Sequence, residues 1–395
     1  MIEFSSIKNK KASLAVGLIV VIVVFPLLCS SLDPAESDKA NKINKIGIIG
    51  DSISTGAAAW PVIAYDADVL SDLFDGQITM VPSPSEREQI VAAGFSEAAD
   101  QIPPRITRPP LRRFRGGPSW LYLNFMNAVQ KHYMDMETFS WSYMVARKLG
   151  YNPDQILLAA RDGARMENAV SQLESILEMN DRYLPKDLLV LFTGNDVCNV
   201  EEKYLTSAES YEDNIRAFLS YMKKNGRVPP GGVNLWFFAA IDVLQISQKK
   251  EILEKRVTGH GDLITCRELH KPSSNSMPAP KTRSRFNFLN NMVTSSFGGS
   301  PSLYCQSVVY GLNGMTKYQS DALISEKMST FRNLEHYISL KHSNDQIRIR
   351  YIKDTSRLVL SAKHMAQDCF HLSLAGQLHL ANTAYNGMEE AENNP

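Results

Sequence analysis

A serine hydroxyl becomes a nucleophile only when a base takes its proton and a third group orients that base. Ser52 lies in IIGDSIS, where an apolar run stops at Gly50-Asp51-Ser52. Gly-Asp-Ser at a strand end is good turn chemistry as well as a place for a nucleophile. Among the eight histidines, His371 is set apart by Asp368 three residues before it, in DCFH. In a turn, that spacing lets the carboxylate reach the imidazole nitrogen facing away from the serine. The other use of Asp368 is to cap the helix that follows. His364 and His379 have no acid placed this way.

Acyl transfer also needs donors aimed at the oxyanion as it develops. Asn195, in TGNDVCN, could offer a side-chain N–H. Gly163, in ARDGAR, could offer a backbone N–H at a helix start, where such groups point outward. Each has a plainer use, Asn195 in a turn and Gly163 in opening a helix. Together the four stretches place a hydroxyl, two N–H sources and an acid–imidazole pair at expected strand ends. On that ground Ser52 is read as the nucleophile, His371 as the base and Asp368 as the group that orients it. The Gly163 amide and the Asn195 side chain are read as donors to the oxyanion. Asp51 and Asp196 fall inside the same motifs and are read as supporting residues.

The elements that must position these residues follow from hydrophobic patterning. Apolar runs at 46–50, 155–160, 188–193 and 233–241, with the Arg-alternating IRIRYI at 347–352, read as strands. Helical spacing appears near 137–149, 164–178, 207–224, 319–341 and 373–388, with Thr206 and Glu209 resembling a capping box before the third. Strands alternating with helices predict an α/β fold: three layers, α/β/α, around a mostly parallel sheet, with functional groups at the C-terminal strand ends. Two segments break the alternation, about 61–136 and 245–316, and read as insertions at the rim of a single domain spanning 32–395. Within the first, RITRPPLRRFR is rich in arginine. Arg112 and Arg113 there could meet a phosphate headgroup, or the run could be a solvated basic loop. SWLYLNFMNAV, 119–129, could line an acyl groove or fill the core.

Residues 1–31 read as a leader. Lysines at 8, 10 and 11 precede an apolar run over 12–29, and acids follow it at Asp33, Glu36 and Asp38. That polarity suits export, through either a cleaved signal peptide or an anchor that associates residues 12–29 with a membrane. The chain carries 42 basic and 42 acidic residues, so no global charge calls for nucleic acid. Outside the leader, Cys198, Cys266, Cys305 and Cys369 have no metal-ligand spacing, and no metal or cofactor is expected. A Cys266–Cys305 disulfide would sensibly close the polar segment between them. Cys198 and Cys369 could pair with each other or stay free.

With these motifs in hand, the chain resembles the GDSL, or SGNH, hydrolase superfamily. Its four blocks match Ser52 in GDSIS, Gly163 in RDGAR, Asn195 in GNDVCN, and Asp368 with His371 in DCFH. GNDVCN, ARDGAR and DCFHLS are closer to the lipid-active branch, the phospholipase B-like and acyloxyacyl hydrolase-like enzymes. The resemblance implies a flavodoxin-like α/β/α fold and ester hydrolysis through an acyl-serine intermediate, with a lipid or phospholipid as substrate and no cofactor. A carbohydrate acetyl esterase of the same superfamily, and a catalytically dead binding protein that keeps the fold, are the rival readings.

Overall fold

Residues 44–56, 140–161, 163–192, 194–259, 262–271, 305–366 and 368–393 are described by a computed structural model. The leader and the whole of the first insertion, with Arg112, Arg113 and residues 119–129, lie outside these residues. Among the described residues the strands in chain order are β1 (Ile46–Gly50), β2 (Ile156–Leu158), β3 (Asp187–Leu191), β4 (Val233–Phe238), β5 (Arg256–Gly259), β6 (Asp262–Thr265) and β7 (Ile347–Ile352). The helices used below are α1 (Ser52–Thr55), α2 (Trp141–Lys148), α3 (Ala169–Met179), α4 (Ala208–Asn225), α5 (Cys266–Leu269), α6 (Lys317–His342) and α7 (Leu374–Asn393).

Five strands form one sheet in the order β2-β1-β3-β4-β7, and every neighbouring pair is parallel. A parallel sheet is covered on both faces, which explains the unbroken apolar runs of its central strands. Side chains alternate between two separate cores. Ile46, Ile48, Leu189, Leu191, Trp236 and Phe238 pack with α2 and α7. Ile49, Leu188, Val190, Leu235 and Phe237 pack with α3, α4 and α6. β7 is an edge strand, and its alternating arginines fit that position: Arg348 and Arg350 both donate to the Asn234 side-chain oxygen on β4.

This strand order has a consequence for function. The chain steps from β1 out to β2 on one side, then returns past β1 to build β3, β4 and β7 on the other. Connections diverge between β1 and β3, and such a switch point opens a crevice at the C-terminal ends of those strands. Ser52 follows β1 and Asn195 follows β3, so both stand at that switch point.

Several expectations are corrected. The helix expected from 164 begins at Ala169, behind a 3-10 turn over Met166–Asn168. At α4 the N-cap is Ser207, whose hydroxyl accepts from the Ser210 amide. Thr206 instead donates its hydroxyl to the Asp196 carboxylate, a tertiary bond that replaces the local capping box. The second insertion is not simply loop. It holds short helices at Gln245–Gln248 and Lys250–Leu253, the antiparallel β5–β6 hairpin, α5, and a helix over Gln306–Val309.

The disulfides are Cys198–Cys305 and Cys266–Cys369, not Cys266–Cys305. Cys305 caps the Gln306–Val309 helix, and Ser307 in that helix bonds to the Val197 and Asn199 carbonyls. That contact seats Cys305 against Cys198. Cys266 opens α5 on the far side of the insertion, beside Cys369. Disulfides persist in oxidising compartments. Among the described residues no helix is long and apolar enough to cross a membrane.

One buried acid sits in the layer that backs β3 and β4. Glu335 of α6 accepts a hydrogen bond from the Tyr211 hydroxyl of α4, with the Tyr211 and Phe331 rings stacked beside it. Burial pushes the Glu335 carboxyl up to about 8, against the lowering pull of Tyr211 and Arg332. The folded protein therefore holds a proton that the unfolded chain releases above the ordinary carboxylate range, so stability falls as pH rises towards 8. Glu335→Gln keeps an acceptor for Tyr211 and removes this titration. In thermal melts its Tm gain over wild type is expected to grow between pH 5 and pH 8 and to stay constant above.

Candidate active site

The sequence around Ser52 folds as it does because β1 must stop. Gly50 pairs with Leu191 across the sheet, and a Cβ there would lie 2.3 Å from the Leu191 carbonyl oxygen and 2.5 Å from Ser54 Oγ. Only glycine allows the chain to turn so close to β3. Asp51 then caps α1, its carboxylate accepting from the Ile53 amide at 3.0 Å. Ser52 is the first residue of that helix and is 8% exposed.

Three other elements fix this turn. Gln172, fully buried on α3, clamps the Gly50 peptide: its Oε1 accepts from the Gly50 amide at 2.7 Å and its Nε2 donates to the Gly50 carbonyl at 2.9 Å. Ser142 of α2 donates to the Ser54 carbonyl at 3.0 Å. Gln377 of α7 accepts from the Trp141 amide and donates to the Ile53 carbonyl. These residues escaped the sequence reading, although one signal was there. Gln172 lies between Ala169 and Ile176 on the apolar face of α3, and a polar residue on a buried face must have a partner.

His371 Nε2 lies 3.0 Å from Ser52 Oγ, although the two are 319 positions apart in the chain. Its Nδ1 lies 2.6 Å from Asp368 Oδ2. The other Asp368 oxygen accepts from the Phe370 and His371 amides, each at 3.0 Å. Asp368 is thus spent on its own turn and on the imidazole, not on capping α7. Burial pushes the Asp368 carboxyl up, but the charge and hydrogen bond of His371 and the two amides outweigh this and hold it below its ordinary value. It is therefore ionised at neutral pH. A carboxylate can only accept, so the Nδ1 proton points at Asp368 and leaves the Nε2 lone pair facing the serine. Cys369, between them, takes φ 59°, a left-handed conformation that costs about 1–2 kcal/mol for a residue with a side chain.

Sheet register brings the other two blocks to the same edge. Beyond β2 the chain keeps bonding to β1, with the Arg161 amide donating to the Gly50 carbonyl at 3.1 Å. Gly163 therefore stands two residues past Arg161 on one side, as Ser52 stands two past Gly50. Its φ of 72° and the open space around it place it in an exposed turn, so its amide belongs to that turn rather than to a helix start. On the other side, Asn195 opens a 3-10 turn soon after β3. Its Nδ2 donates to the Ala164 carbonyl at 2.9 Å, which ties it to the glycine turn and leaves its second N–H without a partner among the described residues.

Asp196, 3% exposed, closes the arrangement by accepting from the Met166 amide at 3.0 Å and from the Thr206 hydroxyl at 2.8 Å. Burial raises its carboxyl to about 6, and the nearby Asp51 charge adds to the rise. His364 and His379 stack on one another with ring centroids 4.7 Å apart and take no part in this cluster. Among the described residues no group of three or more His, Cys, Asp or Glu side chains could hold a metal ion.

Neither protein-family models nor curated proteins give a match to this chain. The chemistry of the site is therefore argued from its geometry. A hydroxyl bonded to an imidazole that is itself bonded to a buried carboxylate can pass a proton from oxygen to nitrogen and back. That capacity depends on the Ser52–His371–Asp368 chain, with the neighbouring N–H groups as candidates to receive negative charge.

Proposed function

We propose that this chain is an exported serine hydrolase of the SGNH type that cleaves acyl esters, with a lipid or phospholipid as its substrate. The observation that carries the reading is the continuous path from Ser52 Oγ through His371 to Asp368, at 3.0 Å and 2.6 Å. Each distance lies within reach for proton transfer. The strand order, with Ser52 and Asn195 flanking its switch point, supports the fold assignment. The lipid preference rests on the sequence motifs GNDVCN, ARDGAR and DCFHLS. Export rests on the leader pattern together with the two disulfides.

In the first step His371 Nε2 takes the Ser52 proton as Oγ attacks the acyl carbon. Asp368 stabilises the imidazolium that results. The tetrahedral oxyanion accepts from the Ser52 and Gly163 amides and from Asn195 Nδ2. The intermediate collapses by expelling the alcohol, which takes the proton from His371 and leaves the acyl group on Ser52. Water then enters, gives a proton to His371 and attacks the acyl-serine; Ser52 recovers its proton as the free acid departs. Every proton is carried by His371, and the sequence requires no metal or cofactor.

Loss of a single oxyanion donor in such sites costs on the order of 10²–10³ in kcat. Asn195→Ala is expected to lower kcat on a p-nitrophenyl acyl ester by that factor with KM little changed, read from steady-state kinetics. The substrate class is tested by comparing acyl chain lengths, and phospholipid with neutral lipid ester, on the purified protein. Preference for long chains supports a lipid substrate. Steep preference for acetyl groups on a saccharide points to the carbohydrate esterase reading. A headgroup preference supports Arg112 and Arg113 as phosphate partners, and indifference removes them from the site.

A further inference from the structure

The turn from Asp368 to His371 is a short stretch outside the sheet and helices, yet it must hold an imidazole in line with a serine on another element. What holds it comes from the second insertion. Cys266, the first residue of α5, is bonded to Cys369 at the centre of the turn. His270, just past α5 and 4% exposed, has its Nε2 3.0 Å from the Cys369 carbonyl oxygen. Lys255, at the foot of the β5–β6 hairpin, donates its ammonium to the Met365 carbonyl and, at 3.3 Å, to that of Ala366. The hairpin brings these groups together, since the Cys266 amide donates to the Lys255 carbonyl. The turn is closed from its own side by the Ala366 amide on the His371 carbonyl.

His270 is the informative member. A carbonyl only accepts, so the proton is on Nε2 and the imidazole presents Nδ1 as a bare acceptor. That Nδ1 is buried and has no partner among the described residues. Burial also pushes the imidazole below its ordinary pKa, which keeps it neutral. Cys266 and Cys369 belong to a small apolar cluster with Val257, against which Ile264 and Leu269 pack, and the charges of Asp368 and Lys317 also reach the His270 ring. A leucine there would remove the unpartnered Nδ1 but would leave the Cys369 carbonyl without this donor. The one thing histidine provides there is a donor for the Cys369 carbonyl.

We propose that the β5–β6 hairpin with α5 is a clamp for the acid–base turn, and that His270, Cys266 and Lys255 are positioning residues acting through Asp368 and His371. The proposal rests on the reading of that pair as the acid and base of the reaction. Cys266 and His270 grip the turn at the Cys369 sulfur and carbonyl, and Lys255 holds the residues leading into it at Met365 and Ala366, so the clamp sets both the depth and the rotation of the His371 ring relative to Ser52.

The test compares His270→Leu, His270→Gln and the double variant Cys266→Ala/Cys369→Ala in the full chain, by amide hydrogen exchange and by ester turnover. Leucine fills the space without a donor, whereas glutamine restores an N–H. For His270→Leu, the Phe370 and His371 amides are expected to exchange on the order of tenfold faster, with the core strands β3 and β4 unchanged. Its kcat should fall by on the order of tenfold to a hundredfold at unchanged KM. His270→Gln should recover most of both, and the double cysteine variant should loosen the same amides. Wild-type exchange at Phe370 and His371 in His270→Leu overturns the clamp, as does exchange that quickens equally in β3 and β4. If the cysteine variant does not fold, the two His270 variants decide alone. Local loosening in a protein that turns over no ester leaves the clamp standing and overturns the hydrolase reading instead.

Discussion

Ser52→Ala is expected to lower ester turnover by about a millionfold in kcat, to little more than the rate left by binding and oxyanion stabilisation alone. The variant loses one oxygen from a residue that is 8% exposed and keeps the α1 backbone, so its melting temperature should match wild type. Residues that act as one unit are not additive when removed together. His371→Ala should therefore cost a similar factor, and the Ser52→Ala/His371→Ala double variant should fall no further. Steady-state kinetics on a p-nitrophenyl ester, with a melt on each variant, reads all three. Additive losses would mean that the hydroxyl and the imidazole act in separate steps.

Asp368→Asn carries the second largest effect, on the order of 10⁴ in kcat. The geometry dictates how it fails. One Asp368 oxygen is held by the Phe370 and His371 amides, both of which donate. An asparagine must keep its oxygen on those amides, which turns its NH₂ group towards His371 Nδ1. A donor there requires the lone pair on Nδ1 and puts the proton on Nε2, facing Ser52. The imidazole is then the wrong tautomer and cannot take the serine proton. Because the turn keeps both backbone bonds, KM and thermal stability should change little while kcat collapses. A variant that unfolds, or one that keeps its rate, would contradict this assignment of bonds.

The parts of the molecule that were legible in the sequence are those governed by local rules. β1 and β7 match their expected limits because a strand buried on two faces, and an edge strand with alternating arginines, each leave a pattern in five or six residues. Asp368 and His371 were legible as a pair because they lie three positions apart. That His371 would reach Ser52 was inferred only from the motifs taken together, since the two are 319 positions apart in the chain. Elsewhere a tertiary bond overrode a local one. Thr206 had the spacing of a cap, but the buried Asp196 carboxylate needed a donor and Ser207 took the cap instead.

The cysteines show the same limit. Nearness in sequence favoured Cys266 with Cys305, whereas folding sets Cys305 against Cys198 and Cys266 against Cys369, at sequence separations of 107 and 103. Gln172, His270 and Lys255 were not legible as parts of the site because each acts on a backbone carbonyl or amide, and a partner of that kind leaves no residue type to recognise. The Ser52–His371–Asp368 chain is thus readable in its residue types, and what holds it is hidden.

The most direct test of the central claim is covalent. A fluorophosphonate reacts with a serine only when a base activates the hydroxyl, and the adduct can be located by mass. The account predicts a single phosphonylated residue, Ser52, in the folded wild-type protein, with labelling lost in His371→Ala and after denaturation. Folded protein that takes no label, or takes it at a serine other than Ser52, would contradict it.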